Sequence, residues 1–442
     1  MSETIYGVWA VRSGNSIFGH AEAWCKDHGK VIEFESRAEA EKYTAERNKE
    51  TTFNCHYYVR PKQHERDSVK YPIERTPDDK VPAVGRPAHL PENYLLNAEL
   101  KDGKVYYTAD SPEAQRQCMA YSLDGGRSFK KYLGNPVIDS HKKWDSHDTR
   151  DPKIFKYADH HYVLVLNERD GNTIYTSSDL KTWQPMSHIT GFWECPELFH
   201  LDNNQGNGTA DSLWVMWGAS GTYMLGHFDG KTFTPTSPKQ INLNGTAYAA
   251  QCFNCLEGND VVKIAWGRIS FPGMPFNGCM LLPQKQQLRN TPTGPKLYSQ
   301  PIEGIDNLFT QIFNGENMSM HEANQHLRQF ADDDALRIRA TLHLTYATDV
   351  SLQYRGQPVF AYDMNSNRLQ GDFYVNPQQP DAMDIELDIF IDRTVIEAFV
   401  DEGAFSYSLQ LNASPTEKRG YEFRGNNLEI KKMQIYRLAE GN

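Results

Sequence analysis

The sequence of 442 residues predicts an all-β fold, in which a propeller or sandwich of short strands is followed by a second all-β domain. Short runs of alternating apolar and polar residues, separated by Gly, Asp and Asn turns, fill the chain from about residue 95 onward. Two of these runs, at 122–129 and 178–183, share a strand-turn-aromatic pattern, and such partial repeats favour a propeller. A helix start near residue 36 predicts a small α+β module at the N-terminal end of the chain.

Residues 1–62 are predicted to form this module. Three alternating runs are typical of strands, namely Tyr6–Arg12, Ala21–Cys25 and Val31–Phe34. Ser36 and Glu39 have the Ser-x-x-Glu spacing of a capping box, which predicts a helix from Ser36 to about Asn48. A fourth strand at Cys55–Arg60 completes the module, whose sequence indicates no chemistry of its own.

The rest of the chain divides by composition into three parts. Residues 63–94 are rich in charge and proline, and we expect a linker or an extended wrap. Residues 95–300 carry the β-runs of the predicted propeller, for example at 104–108 and 161–166. Residues 301–442 alternate again after a junction that contains proline and glycine, and they are predicted to form a β-sandwich.

Composition narrows the classes of partner. The net charge of −11 disfavours nucleic acid and anionic membranes, and no apolar run approaches the ~18–20 residues of a membrane span. The N-terminus shows no signal-peptide pattern and the seven scattered cysteines suggest reduced thiols, so we expect a cytoplasmic protein. The CxxC pair Cys252 and Cys255 lies in a strand-like run without further ligand pairs, which favours core packing over zinc binding. We expect no metal and no cofactor, and the oligomeric state stays open.

Two short motifs carry the functional signal. One is Arg-Asp-Pro-Lys-Ile-Phe at 150–155, and the other is Glu-Cys-Pro-Glu-Leu-Phe at 194–199. Each sets a carboxylate beside a proline at the end of an apolar strand-like run. Cleavage of a glycosidic bond needs two carboxylates in one cleft, because one donates a proton to the leaving oxygen and another stabilises the positive charge that develops. The pair of motifs therefore indicates a glycosidase.

Together the motifs resemble those of glycoside hydrolase family 32, the invertases, inulinases and levanases. Further segments resemble the family in the same order along the chain, at 115–138, 228–233, 248–251, 267–283 and 391–399. The resemblance implies a five-bladed β-propeller with a cleft at its axis, followed by a C-terminal β-sandwich. It also implies a hydrolase of β-fructofuranosides such as sucrose, sucrose phosphate or fructo-oligosaccharides, with a small sugar or an oligosaccharide as substrate.

By that resemblance Glu194 is the general acid/base, and Asp151 stabilises the transition state. The implied substrate-binding residues are Arg150, Gln117, Trp193, Tyr248 and Phe276. The local sequence environments predict the same two roles. A glutamate flanked by Trp193 and Cys195 is predicted to have a raised pKa, whereas Asp151 beside Arg150 is predicted to stay ionised. The structural alternative is that the two motifs have no catalytic role. Arg150 and Asp151 then form an ordinary ion pair at a strand end, and Glu194 is a surface glutamate.

The departures from the family pattern concern mainly the nucleophile. The family takes it from an N-terminal Asn-Asp-Pro-Asn motif, which residues 1–94 lack. The linker offers three aspartates instead, Asp67, Asp78 and Asp79. Solvated linker charge is the simpler interpretation of these three. A second alignment register places the amide of Asn97 at the nucleophile position, where no covalent intermediate can form. Glu197, where the family usually has Asp, is expected to be structural.

Three interpretations stay open. The first is a cytosolic β-fructosidase with Glu194 as acid/base. The second is a non-catalytic carbohydrate-binding or regulatory protein on a degenerate fructosidase scaffold, which the missing nucleophile favours. The third is a glycosidase in which Asp151 or a linker aspartate activates water directly and inverts the anomeric centre. The intact motifs favour an enzyme, because a pure binding protein has no need for a proton donor.

Overall fold

The computed structural model describes residues 5–12, 21–27, 30–50, 55–62, 103–202, 212–254, 256, 260–271, 274–345, 349–380, 383–412 and 420–439. Within these ranges the chain is mostly β, as predicted. It divides into two compact units, residues 1–90 and 91–442, and each is described separately. None of the helices in the described ranges is both long and apolar enough to cross a membrane.

The first unit is an antiparallel sheet with one helix, which spans Arg37–Glu50. Its strands are Ile5–Arg12, Ala21–Trp24, Lys26–Asp27, Lys30–Val31, Glu33–Phe34 and Cys55–Lys62. Ile5–Arg12 pairs with Cys55–Lys62 along its whole length, and with Ala21–Trp24 and Glu33–Phe34 along its two halves. The helix begins at the residue that follows Ser36, where the sequence predicts the cap.

The helix of this unit packs on the sheet through a few apolar side chains. Ala40 and Val8 are fully buried, and the rings of Tyr43 and Phe34 lie 5.5 Å apart. The side chain of Asn48 donates to the Tyr57 carbonyl at 2.9 Å and accepts from the Tyr57 N–H at 2.8 Å. This paired hydrogen bond fixes the end of the helix beside the strand Cys55–Lys62.

In the second unit, residues 103–301 form four successive antiparallel sheets. Sheet 1 contains Lys104–Asp110, Gln115–Tyr121 and Lys130–Lys131. A short helix, His141–Trp144, follows. Sheet 2 contains Thr149–Ala158, His161–Glu168, Gly171–Ser177 and Gln184–Thr190. Sheet 3 contains Glu197–Leu201, Leu213–Trp217, Thr222–Phe228, Phe233–Pro235 and Gln240–Ile241. Sheet 4 contains Ala247–Cys252, Val261–Gly267, Cys279–Met280, Gln284–Thr291 and Gly294–Pro301.

The first strands of the four sheets meet at a common centre. The Asp151 N–H of sheet 2 donates to the Thr108 hydroxyl of sheet 1 at 3.1 Å. Two residues later, the Lys153 ammonium lies 3.0 Å from the Glu197 carboxylate of sheet 3 and donates to the Cys252 carbonyl of sheet 4, also at 3.0 Å. Residues of these four strands are therefore brought together although they lie far apart in sequence.

Residues 303–439 form two sheets that face each other across an apolar core. In spatial order, the seven-stranded sheet contains Asn244–Gly245, Phe405–Gln410, Val395–Val400, Asp384–Asp392, Ala335–Leu344, Leu428–Leu438 and Phe309–Ser319. The five-stranded sheet contains Asp372–Phe373, Arg368–Leu369, Gln357–Asp363, Asp349–Tyr354 and Tyr421–Gly425. Short helices lie at Glu303–Leu308, Met320–Leu327 and Arg328–Phe330. Alternate residues of both sheets, such as Leu336, Ile338, Leu352 and Phe360, fill the space between them.

The segment Asn244–Gly245 joins the two halves of this unit, because it leaves sheet 3 and pairs in parallel with Phe405–Gln410 of the sandwich. Gly245 has a φ of 76°, and a Cβ atom at this position would lie 1.9 Å from the Ser408 carbonyl oxygen. Only glycine therefore permits the close pairing. The link explains why the four sheets and the sandwich belong to one compact unit rather than two.

A buried carboxyl group, that of Glu397, makes a second link between sheet 4 and the sandwich. Glu397 is 7% exposed, and both of its oxygens lie 3.0 Å from the Leu282 N–H. Burial raises the pKa of Glu397 to about 8, against an ordinary value of 4.5. The folded protein therefore favours the protonated carboxyl at neutral pH, whereas the unfolded chain ionises it.

This difference makes the stability of the protein depend on pH. The contribution of Glu397 is fully present below pH 4.5 and is lost progressively as the pH rises toward 8. We expect Glu397→Gln, which keeps an acceptor for Leu282, to lose less thermal stability than the wild type between pH 5 and pH 8.5. Calorimetry across this range measures the effect, with the exposed Glu303→Gln as matched control. Parallel losses in the wild type and in Glu397→Gln would contradict the assignment.

Candidate active site

The two carboxylate motifs sit on strained backbone at the centre of the sheets. Asp151 has a φ of 64°, and the pairing of its strand shifts register between Arg150 and Lys153, which marks a β-bulge. Glu194 and Cys195 have φ values of 49° and 40°. Left-handed backbone costs about 1–3 kcal/mol for a residue with a side chain, and it persists where the surrounding structure requires it. Bulges of this kind re-aim side chains beside functional sites.

The Glu194 carboxylate is half-buried and accepts hydrogen bonds at both oxygens. Arg150 Nη2 donates to Oε1 at 2.7 Å, and the Tyr248 hydroxyl donates to Oε2. The Glu194 N–H donates to the Asn167 side-chain oxygen at 2.9 Å. Tyr248 comes from the first strand of sheet 4, at a second bulge where Ala249 has a φ of 52°. Residues of sheets 2 and 4 therefore position this one carboxylate.

The electrostatics of Glu194 differ from the prediction. Burial acts to raise its pKa, but the hydrogen bonds from Tyr248 and Arg150, with the positive charge of Arg150, outweigh burial and lower the pKa from its ordinary value. The expectation of a raised pKa from the neighbours Trp193 and Cys195 is wrong. Trp193 is 55% exposed, and the groups that decide the pKa come from other strands.

Arg150 binds Glu194 rather than its sequence neighbour Asp151. Its guanidinium pairs with Glu194 and with Asp148, and Nη1 donates to the Gln115 side-chain oxygen at 3.1 Å. The guanidinium therefore does not form the ordinary Arg150–Asp151 ion pair of the structural alternative. The physical reason is that Asp148, which directly precedes the strand Thr149–Ala158, reaches the Arg150 guanidinium, whereas the bulge turns Asp151 toward Cys195.

Asp151 is held by the second motif instead. One of its carboxylate oxygens accepts from the Cys195 N–H at 2.9 Å and lies 3.6 Å from the Cys195 sulfur. Burial and the nearby Asp151 charge raise the pKa of the Cys195 thiol to about 12, so the thiol remains a donor. Because Cys195 follows Glu194 directly, the Asp151 carboxylate lies next to the backbone that carries the Glu194 side chain.

The remaining predicted substrate-binding residues have different environments. Gln117 is fully buried, where its side chain donates to the Thr149 carbonyl and accepts from the Thr108 hydroxyl at 2.8 Å. It is not available to a substrate, and its assignment to the site is wrong. Trp193 and Phe276 are 55% and 51% exposed, and Phe276 packs on Phe271 with ring centroids 5.2 Å apart. Both remain open to a ligand.

Three residues that the sequence did not indicate belong to the cluster. Gln115 and Asp148 bind Arg150, and the Arg268 guanidinium stacks on the Tyr248 ring, 4.7 Å from its centroid. The two-residue spacing of Asp148 and Arg150 was the available signal for Asp148, since residues i and i+2 of a strand share a face. No sequence spacing connects Arg268 with Tyr248.

The nucleophile candidates Asp67, Asp78 and Asp79, and Asn97 of the second alignment register, all lie outside the described residues. Among the described residues, no three His, Cys, Asp or Glu side chains stand together as a metal site would need. The cluster contains the carboxylates of Asp148, Asp151 and Glu194, the guanidinium groups of Arg150 and Arg268, and the phenol of Tyr248.

Comparison with known proteins supports the same family as the sequence motifs. Residues 96–301 match the sequence model of the Glycosyl hydrolases family 32 N-terminal domain. An extracellular exo-inulinase of Aspergillus awamori is 27% identical over 425 residues, which cover 82% of this chain and 77% of the relative. A levanase of Bacillus subtilis is 27% identical over 388 residues, which cover 75% of this chain and 56% of the relative.

A solved structure agrees with the fold. The fructofuranosidase of Schwanniomyces occidentalis complexed with fructose superposes with a TM-score of 0.62 at 18% identity, covering 79% of this chain and 82% of that one. The family model and the two relatives confirm the resemblance predicted from the sequence motifs. Residues 96–301 of this chain are a glycoside hydrolase family 32 N-terminal domain, related to those of exo-inulinases and levanases.

Proposed function

We propose that this chain is a β-fructofuranosidase that hydrolyses small fructosides such as sucrose, sucrose phosphate or fructo-oligosaccharides. The observation that carries the proposal is the placement of the Glu194 carboxylate, between Arg150 and Tyr248 and next to Asp151, at the centre of the sheets. The relatives named as exo-inulinase and levanase, and the solved fructofuranosidase complexed with fructose, support this substrate class.

In this proposal Glu194 donates a proton to the leaving-group oxygen, and Asp151 holds the hydroxyl groups of the fructosyl ring. The free site keeps Glu194 ionised through Arg150 and Tyr248. Hydrolysis needs the protonated form, so substrate must replace or weaken one of the two donors as it binds. The exposed rings of Trp193 and Phe276 supply apolar surface for the sugar.

The alternative is a non-catalytic carbohydrate-binding protein on the same scaffold. The lowered pKa of Glu194 favours it, because a carboxylate held ionised by an arginine serves as a hydrogen-bond acceptor for sugar hydroxyls rather than as a proton donor. The missing Asn-Asp-Pro-Asn motif points the same way. An inverting mechanism with Asp151 as the base needs no such motif and remains a third option.

We further propose that sheets 1–4 are successive blades of the five-bladed propeller that the family resemblance implies. The support is the contact between the first strands of all four sheets around Asp151 and Lys153. The cytoplasmic location stays a prediction from cysteine usage.

Glu194→Gln tests the catalytic assignment. We expect the wild type to release fructose from at least one of sucrose, sucrose 6-phosphate, inulin and levan, and the variant to lose about 100-fold or more in kcat, as removal of a proton donor does. Glu316→Gln, an exposed glutamate of the sandwich, is the matched control. Sugar binding by calorimetry without any hydrolysis would support the carbohydrate-binding alternative instead.

Tyr248→Phe tests the electrostatics of the site independently of activity. Loss of the phenol removes a hydrogen bond that stabilises the ionised carboxylate, so the pKa of Glu194 is expected to rise. NMR titration of protein labelled at the glutamate carboxyl carbon measures this pKa, with the Glu194 signal assigned from Glu194→Gln. Tyr362→Phe, whose phenol binds Asn367 in the sandwich, should leave it unchanged. An unaltered pKa in Tyr248→Phe would disprove the coupling.

A further inference from the structure

Arg268 carries a positive charge at the edge of the proposed active site. It directly follows the strand Val261–Gly267, and its N–H donates to the Thr246 carbonyl at 3.0 Å, which fixes its backbone beside the first strand of sheet 4. The guanidinium lies 4.7 Å from the centroid of the Tyr248 ring. Since the Tyr248 hydroxyl donates to Glu194, one side chain separates Arg268 from the proposed proton donor.

The charge of Arg268 is not neutralised within the described part of the chain. Its Nε contacts only the neutral Thr246 carbonyl, at 3.5 Å, and none of the ion pairs among the described residues includes it. Arg150, by contrast, is held by Glu194 and Asp148. Stacking on Tyr248 occupies one face of the Arg268 guanidinium but leaves N–H donors along its edge. The residue is exposed, so these donors are open to a ligand.

The position of Arg268 also indicates which part of a substrate it meets. A general acid protonates the oxygen of the leaving group, so the leaving group lies beside the Glu194 carboxylate. Tyr248 and Arg268 continue outward from that carboxylate. Trp266 stands edge-on to Tyr248 with ring centroids 6.5 Å apart and is 45% exposed, which provides an apolar surface beside the cation.

We propose that Arg268 is a specificity-determining residue that selects fructosides with a phosphate group on the leaving-group sugar. The inference rests on the function proposed above. A guanidinium edge and a phosphate match in charge and in the spacing of donors and acceptors, and they form two parallel charge-assisted hydrogen bonds. A neutral leaving group offers no such partner.

A phosphorylated leaving group has a second consequence for the site. Its negative charge next to Glu194 opposes ionisation of that carboxylate, as any like charge does. The free site favours ionised Glu194, so the anion acts in the direction that proton donation needs. The negative charge of the phosphate therefore favours both recognition by Arg268 and protonation of Glu194.

The test compares kcat/KM for sucrose 6-phosphate with kcat/KM for sucrose in the full chain. We expect the wild type to prefer the phosphorylated sugar and Arg268→Gln to reduce the ratio of the two constants by about 10-fold or more. Arg268→Lys should retain part of the preference, because a lysine keeps the charge without the paired donors. Arg328→Gln, an exposed arginine of the sandwich, is the matched control and should leave the ratio unchanged.

The outcomes separate the inference from the proposed function. Hydrolysis of both sugars with a ratio that Arg268→Gln does not alter overturns the role of Arg268 and leaves the fructosidase intact. If neither sugar is hydrolysed, calorimetry with the same two sugars decides. Tighter binding of sucrose 6-phosphate that depends on Arg268 supports phosphate recognition by Arg268 and contradicts the proposed fructosidase activity. Equal or absent binding of the two sugars contradicts both proposals.

Discussion

The geometry of the site depends on one buried ion pair, between Lys153 and Glu197. The ammonium and the carboxylate lie 3.0 Å apart with their side chains 11% and 1% exposed, and Lys153 also donates to the Cys252 carbonyl. These contacts tie together the first strands of sheets 2, 3 and 4. Asp151 stands two residues before Lys153, and Glu194 three residues before Glu197. Removal of either partner leaves an uncompensated buried charge, which costs about 3–5 kcal/mol, so the pair strongly constrains the relative positions of both motifs.

The guanidinium of Arg150 holds the polar side chains of the cluster together. Arg150 is shared between Glu194 and Asp148 and is supported by Gln115. The shared cation holds Glu194 in its ionised form, although the residue is half-buried. Under the proposed function, the ionised carboxylate accepts hydrogen bonds from sugar hydroxyls, and it takes up a proton for transfer only when a bound group changes the surroundings of Glu194.

Backbone strain is concentrated at the same place. Asp151, Glu194, Cys195 and Ala249 all have positive φ values. Asp151 and Ala249 lie on bulged strands, and Glu194 and Cys195 lie just before the strand Glu197–Leu201. Regular strands would point these side chains alternately into the sheets on either side. The strained conformations turn them toward one another instead, and they are tolerated because the paired strands around them leave little freedom to relax. The strained backbone is therefore what orients the side chains of the site.

The sequence by itself determined the mostly β character of the chain, the helix that follows Ser36 and the two carboxylate motifs. These depend on alternation, capping and short motifs, which are local. Only the tertiary structure decided that Arg150 binds Glu194 and Asp148, that Gln117 is buried and that Arg268 stacks on Tyr248. Partners, burial and pKa shifts depend on side chains that meet only after strands distant in sequence have packed together, so no local pattern contains them.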